Sequence, residues 1–250
     1  MKFPESWLRE HVEVDADTAR LCNTLTAIGL EVEGSETVGG ELPGVVVGEI
    51  IACEKHPEAD RLKLCQVSVG GGEPLQIVCG APNARLGLKA PLATVGAELP
   101  GGLKIKPAKL RGVESFGMLC SAKELGIDAD ASGLLELPAN APAGEPLAAY
   151  LGLPDTSIEI KLTPNRADCF SVRGIAYDVA AALGSTVKPL LIEPQSSKIE
   201  LMLPIELAAG ADCPRYAGRL IRDVDASTPT PVWMAERLRR CGIRPISLLV

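Results

Sequence analysis

The 250-residue chain is 46% hydrophobic and 23% charged, which is globular rather than disordered composition and long enough for one large domain or two ordinary ones. Its formal net charge of −7 repels phosphate, so any nucleic-acid contact must come from a local basic patch. No stretch approaches the roughly 18 consecutive apolar residues of a membrane span, and the charged start "MKFPESWLREHVEVD" lacks a signal peptide's apolar run, so a cytoplasmic protein with no membrane partner is expected.

Residues 1–38 read as helix, helix, strand. Asp17 or Asp15 can cap a helix with Leu21, Leu25 and Ile28 on one face and Gly29 as its stop, and "LEVEGSETV" follows as a strand. From Gly44 the pattern turns to β. Five strand-like runs, "VVVGEIIACEKH", "LKLCQVSVG", "LQIVCGA", "KAPLATVGAEL" and "LKIKPAKLRG", are separated by Gly, Pro and Asn, which suggests a small closed barrel. Helical pattern returns after Leu151. There "TSIEIKLTPNRADCFSVRGIAYDVAAALG" reads as strand, turn and helix, with Asp168 as cap, Ile175, Val179 and Leu183 as the apolar stripe and Gly184 as the end.

Neither flank carries enough apolar surface to fold alone. The expected class is therefore α+β: one α/β domain split into 1–39 and 152–190, with a barrel domain, 40–151, inserted between its halves. Residues 191–250 begin another α/β unit, with strands in "KIELMLPIELAAGADCPRYAGRLIRDV", a helix in "PTPVWMAERLRRCGIRP" and a final strand "ISLLV". That apolar run at the chain end suggests a cut strand and thus a fragment.

Four constellations could carry chemistry. In "HPEADRLKLCQVSV", His56 and Asp60 resemble a metal or acid–base pair, but Pro57 breaks a helical reading and no further ligand or nucleophile completes the set. The better reading is a turn that sets Arg61 and Lys63 at the start of a strand, with Leu62 and Leu64 facing the core. In "GGLKIKPAKLRGVESFGML", Lys104, Lys106, Lys109 and Arg111 form a basic run with no acid between Glu98 and Glu114. Alternation puts Lys104 and Lys106 on one face, and Lys109 and Arg111 on one face after Pro107, giving either a ridge that tracks phosphates or a lysine-protected strand edge. Phe116 is the only aromatic between Gly44 and Pro142, which argues against reading stacked bases and for reading the shape and phosphates of a folded RNA. "TPNRADC" offers Arg166 as a local ion-pair partner or as an anchor for RNA or a subunit. "LRRCGIRP" places Arg239, Arg240 and Arg244 at a helix end, where the dipole also favours them. The eight cysteines show no C-x-x-C pair or Cys-His cluster and read as small buried hydrophobes, with no metal expected.

The run from "GVVVGEI" through "CEKHPEADRLKLCQVSVGG" and "IVCGAPNARLGLKAPLATVGAELPGGLKIKPAKLRGVESFGMLCSAKELGI" resembles the tRNA-binding OB-fold module. The flanks "SWLREHV", "GLEVEG", "TPNRADCFSVRGIAYDVAAALG", "CPRYAGRLI" and "PTPVWMAERLRRCGIRPISLLV" are similar to the bacterial phenylalanyl-tRNA synthetase beta-subunit family. The resemblance implies an OB-fold barrel inserted in a split α/β domain, followed by the truncated start of the B3/B4 editing domain. It implies an α2β2 ligase that attaches phenylalanine to tRNA(Phe) using ATP and magnesium. The catalytic site lies on the alpha-subunit partner, so no cofactor belongs to this chain itself. Lys109, Arg111, Ser115, Gly117 and Met118 fall on the module's K-[LM]-R-G-x-x-S-x-G-M stretch. The tRNA-binding candidates are therefore Lys104, Lys106, Lys109, Arg111 and Ser115, with Arg61 and Lys63. Two rival readings stay open: an assembly scaffold whose barrel contacts protein, and a stand-alone tRNA-binding chaperone.

Overall fold

The computed structural model describes residues 1–250. The chain opens with a short strand β1 (Lys2–Pro4), which the sequence reading missed, then α1 (Glu5–His11), α2 (Thr18–Ala27) and β2 (Glu31–Val38). Asp17 caps α2 by accepting from the Arg20 N–H at 2.7 Å, and Leu21 and Leu25 are fully buried. Gly29 then leaves the helix at φ 89°, a left-handed turn that a side chain would resist.

The middle of the chain forms β3 (Val45–His56), β4 (Ala59–Ser68), β5 (Leu75–Cys79), β6 (Lys89–Thr94), β7 (Glu98–Leu99), β8 (Leu103–Lys104), β9 (Ala108–Leu110), β10 (Val113–Ser115), β11 (Gly117–Leu119) and the short helix α3 (Leu147–Leu151). Five of these strands make one antiparallel sheet in the order β11-β6-β3-β4-β5. Its two edges nearly meet: the Phe116 N–H donates to the Gln76 carbonyl at 2.9 Å, and the Gln76 amide donates to the Glu114 carbonyl at 2.8 Å. The result is a nearly closed barrel. Ile50, Cys65, Val67, Ile77, Leu92 and Leu119 pack inside it. Val45, Val47 and Ala93 point the other way, into a second core with Leu99, Ile105 and Leu147. β3 and β6 are thus buried on both faces, which is why "VVV" and "PLA" read as continuous apolar runs. Gly48 allows the close approach, since a Cβ there would lie 2.8 Å from a Val67 methyl.

Two strand assignments need correction. "LKIKPAKLRG" is not a fifth barrel strand. It breaks at Pro107 into β8, paired with β7, and β9, paired with β10, because proline has no N–H for a ladder. On β4, Cys65 and Val67 face the core, while Leu62 and Leu64 are only half-buried on the other side. Both faces of β4 are apolar, and register shifts in β3 after Ile50 and Lys55 decide which one turns inward.

The chain then returns to its beginning. β12 (Asp155–Lys161) inserts between β1 and β2, giving the antiparallel order β1-β12-β2. A turn of 3-10 helix, Ala167–Cys169, leads into α4 (Val172–Leu183), and Ile175 and Val179 join Phe3, Leu8, Ile158 and Ile160 in one core. Ser171, not Asp168, caps α4, accepting from the Gly174 N–H at 3.0 Å. Gly174 must be glycine, because a Cβ there would lie 1.9 Å from the Asp168 carbonyl oxygen.

Residues 191–250 hold one helix, α5 (Val232–Arg240), and no strand. The strands expected in "KIELMLPIEL" and "ISLLV" do not form: Met202 is 83% exposed and Val250 87%, and neither segment joins a sheet. The buried side chains of α5 are polar. Arg240 donates to Asp155 at 2.9 Å, to the Leu151 carbonyl at 2.7 Å and to the Gly152 carbonyl at 3.3 Å, while the Ser157 hydroxyl donates to the Arg240 carbonyl at 2.6 Å. Asp155 and Ser157 lie on the face of β12 opposite Ile158 and Ile160, so α5 covers the three-stranded sheet from its polar side. No helix is long and apolar enough to cross a membrane.

Candidate nucleic-acid interface

A groove of about 1000 Å³ runs along one side of the barrel. Its walls are the 78–82 segment, the 103–110 stretch and the 131–134 loop, with Ser115, Met118 and Leu119 at its floor. Lys104 and Lys106 line it, with Ile105 buried between them. Lys104 stands 3.4 Å from Glu98, its partner across the β7–β8 ladder. Lys106 makes no ion pair.

The groove also recruits Lys123, which the sequence reading passed over. Lys123 sits twelve residues past Arg111, beyond the basic run, and only the turn after Cys120 carries it to the groove. The neighbouring Glu124 does not neutralise it. Its carboxylate is spent on Ser121, accepting from the backbone N–H at 2.6 Å and from the hydroxyl at 2.8 Å.

Lys109 and Arg111 are placed differently from Lys104 and Lys106. Ala108 and Leu110 of β9 line the groove, so Lys109 between them points away from it. Arg111 occupies the β9–β10 turn at φ 46°, followed by Gly112 at φ 84°. Two consecutive positive φ values make a type I′ hairpin turn, a conformation that suits Asn-Gly and strains arginine. The four basic residues therefore form a groove pair and a hairpin-tip pair rather than one continuous ridge. All four side chains are exposed.

The remaining candidates divide. Arg61 is exposed on β4. Lys63 is half-buried and donates to the carbonyls of Pro82 at 3.0 Å and Ala84 at 2.6 Å, so its ammonium holds the loop forming one groove wall. Ser115 is 2% exposed. Its hydroxyl accepts from the Val78 N–H and donates to the Gly117 carbonyl, both at 3.1 Å, so at the groove floor it is committed to closing the barrel.

His56, also buried, lies at the end of β3. Its Nδ1 accepts from the Glu58 N–H at 3.1 Å, which leaves Nε2 as the protonated nitrogen, 3.2 Å from the Leu110 carbonyl it donates to. The pairing of His56 with Ala59 makes Pro57 and Glu58 a two-residue turn, as the sequence reading favoured over a metal or acid–base pair.

Arg166, Arg237, Arg239 and Arg240 are committed within the protein, whereas Arg244 is exposed and makes no ion pair. Arg166 bridges Asp168 and Asp178, and these hydrogen bonds raise the pKa of its guanidinium. Asp168, Cys169 and Asp178 are the one grouping with metal-ligand spacing, but Arg166 already pairs with both carboxylates, and burial foremost pushes the Cys169 thiol up to about 11. A magnesium ion does not fit there. Arg237 pairs with Glu10 and stacks 4.9 Å from the Trp7 ring; Arg239 pairs with Asp128 at 2.9 Å and with Glu236. Among the cysteines, all free thiols, Cys65, Cys79, Cys120 and Cys169 are buried, and Cys213 is exposed. Desolvation raises the thiols of Cys65 and Cys120 to about 12, so neither is a nucleophile near neutral pH.

A putative tRNA binding domain model matches residues 45–146, the barrel and its groove, and a B3/4 domain model matches residues 212–250. The phenylalanine–tRNA ligase beta subunit of Xanthomonas campestris is 64% identical over all of this chain, and that of Xylella fastidiosa 61%. A MetRS related protein from Pyrococcus horikoshii, 26% identical, covers 40% of this chain and 85% of its own with a TM-score of 0.30. The chain thus carries a tRNA-binding domain on a mixed α/β scaffold. It belongs to the phenylalanine–tRNA ligase beta-subunit family and spans about a third (32%) of the length of the curated relatives it matches.

Proposed function

We propose that this chain supplies tRNA binding and subunit architecture to a cytoplasmic phenylalanine–tRNA ligase, which joins phenylalanine to tRNA(Phe) at the cost of ATP with magnesium, and that the chemistry resides on an alpha subunit with which it forms an α2β2 assembly. In this reading the barrel is an OB fold inserted into a split α/β domain, and residues 191–250 belong to an editing domain. The shared sheet of β1, β12 and β2, with its common core, supports the split.

The observation that carries the reading is the groove. Lys106 and Lys123 face it without ion-pair partners, on a chain whose net charge is −7. Cations left unpaired on an acidic protein are suited to displacing counterions from an RNA backbone. The groove wall lacks aromatic side chains, so phosphate and shape, rather than stacked bases, give the contact. Fluorescence anisotropy with tRNA(Phe) tests this on the full chain. Affinity should fall roughly tenfold or more between about 50 mM and 200 mM salt, as for a few phosphate contacts. Undetectable binding at low salt, or binding indifferent to salt, overturns it in favour of a scaffold whose barrel contacts protein.

A further inference from the structure

His56 is more than a satisfied core histidine. It is buried to 4% exposure, and its two ring nitrogens bond in opposite directions: inward to its own turn at Glu58, and across to Leu110, 54 residues later. Leu110 is the last residue of β9, immediately before the strained Arg111. A second contact runs alongside. A Cβ on Gly112 would lie 3.8 Å from the Glu58 carboxylate, so the β3–β4 turn sits directly against the β9–β10 turn. An arginine at positive φ persists where its surroundings hold it there, and here they are the imidazole and the Glu58 turn.

We infer that His56 is a positioning residue for RNA: its ring locks the β3–β4 turn onto the β9–β10 turn and so fixes the direction in which Lys109 and Arg111 are presented. The inference rests on the proposed tRNA reading of the barrel surface, and specifically on its hairpin-tip pair.

The test uses the full chain, tRNA(Phe) and four variants: His56→Ala, His56→Gln, Lys109→Ala/Arg111→Ala, and the triple His56→Ala/Lys109→Ala/Arg111→Ala. His56→Ala should weaken binding about fivefold, what one lost hydrogen bond is worth. His56→Gln, whose amide can donate to Leu110, should recover most of it. In the triple variant His56→Ala should add nothing, because its effect passes through the two basic residues. If Lys109→Ala/Arg111→Ala binds like native, the hairpin tip does not touch RNA and the reading beneath the inference fails. If that variant weakens binding while His56→Ala does not, or if adding His56→Ala weakens Lys109→Ala/Arg111→Ala as much as it weakens the native chain, His56 positions nothing and the inference alone is overturned.

Discussion

Replacing Arg240 by alanine should release α5 from the rest of the chain. The guanidinium and the Asp155 carboxylate are 7% and 5% exposed, and the carboxylate is otherwise held by Ser6, through its N–H at 3.2 Å and its hydroxyl at 2.6 Å, and by the Thr156 N–H at 2.8 Å. Removing the cation leaves a buried anion without its counter-charge and two carbonyls, Leu151 and Gly152, without this donor. Loss of one partner of such a pair costs about 3–5 kcal/mol. Because α5 buries only Glu236 and Arg240, with Val232 half-buried against the barrel's outer core, little apolar packing remains to keep it docked. The loss is therefore local. Amides of residues 232–241 should lose hydrogen-exchange protection while β3, β4 and β6 keep theirs. Asp155→Ala should do the same, and the double variant should cost less than the two singles summed. Unchanged protection of α5 in Arg240→Ala would show that something other than this pair holds it.

The second large effect concerns affinity. Changing Lys104, Lys106, Lys109 and Arg111 together to alanine should weaken tRNA(Phe) binding about tenfold to a hundredfold at moderate salt, and flatten the dependence of log affinity on log salt by about one unit for each side chain that meets a phosphate. Stability should move little, within about 0.5 kcal/mol, since all four side chains are exposed and the one ion pair lost is between Lys104 and Glu98, itself exposed at 53%. Equal affinity with an unchanged salt slope would remove the basic run from the RNA contact and leave the barrel as a protein-facing scaffold. The variant also separates the two pairs. Restoring Lys104 and Lys106 alone recovers the groove, and restoring Lys109 and Arg111 alone recovers the hairpin tip.

What the sequence made legible follows the range of the forces involved. Asp17, Leu21 and Leu25 set α2 within ten residues, and Gly184 ends α4 at φ 69°, because caps, periodicity and stops are local. β3 to β6 were legible as strands for the same reason. The facing of β4 was not, since Leu62 and Leu64 are as apolar as Cys65 and Val67, and bulges in the neighbouring strand make the choice. Asp168 and Ser171 are both capping residues; Arg166 takes the first, which leaves the second for α4. Strand pattern in 199–207 formed no strand because a strand needs a partner edge, which periodicity does not report. At the candidate site, the basic run was visible but its division was not, since Pro107 and the turn at Arg111 send its halves in different directions. Lys123 and the bond from His56 to Leu110 join residues far apart in the chain, and nothing local announced either.

The central claim is that the barrel groove and the hairpin beside it hold tRNA. Photocrosslinking of tRNA(Phe) to the full chain, with the attached peptides identified by mass spectrometry, addresses it most directly. Crosslinks should concentrate on residues 103–123 and the facing loops at 80–82 and 131–134, and should fade as salt is raised. Crosslinks confined to α4, α5 or the 191–230 stretch, with the groove untouched, would contradict it.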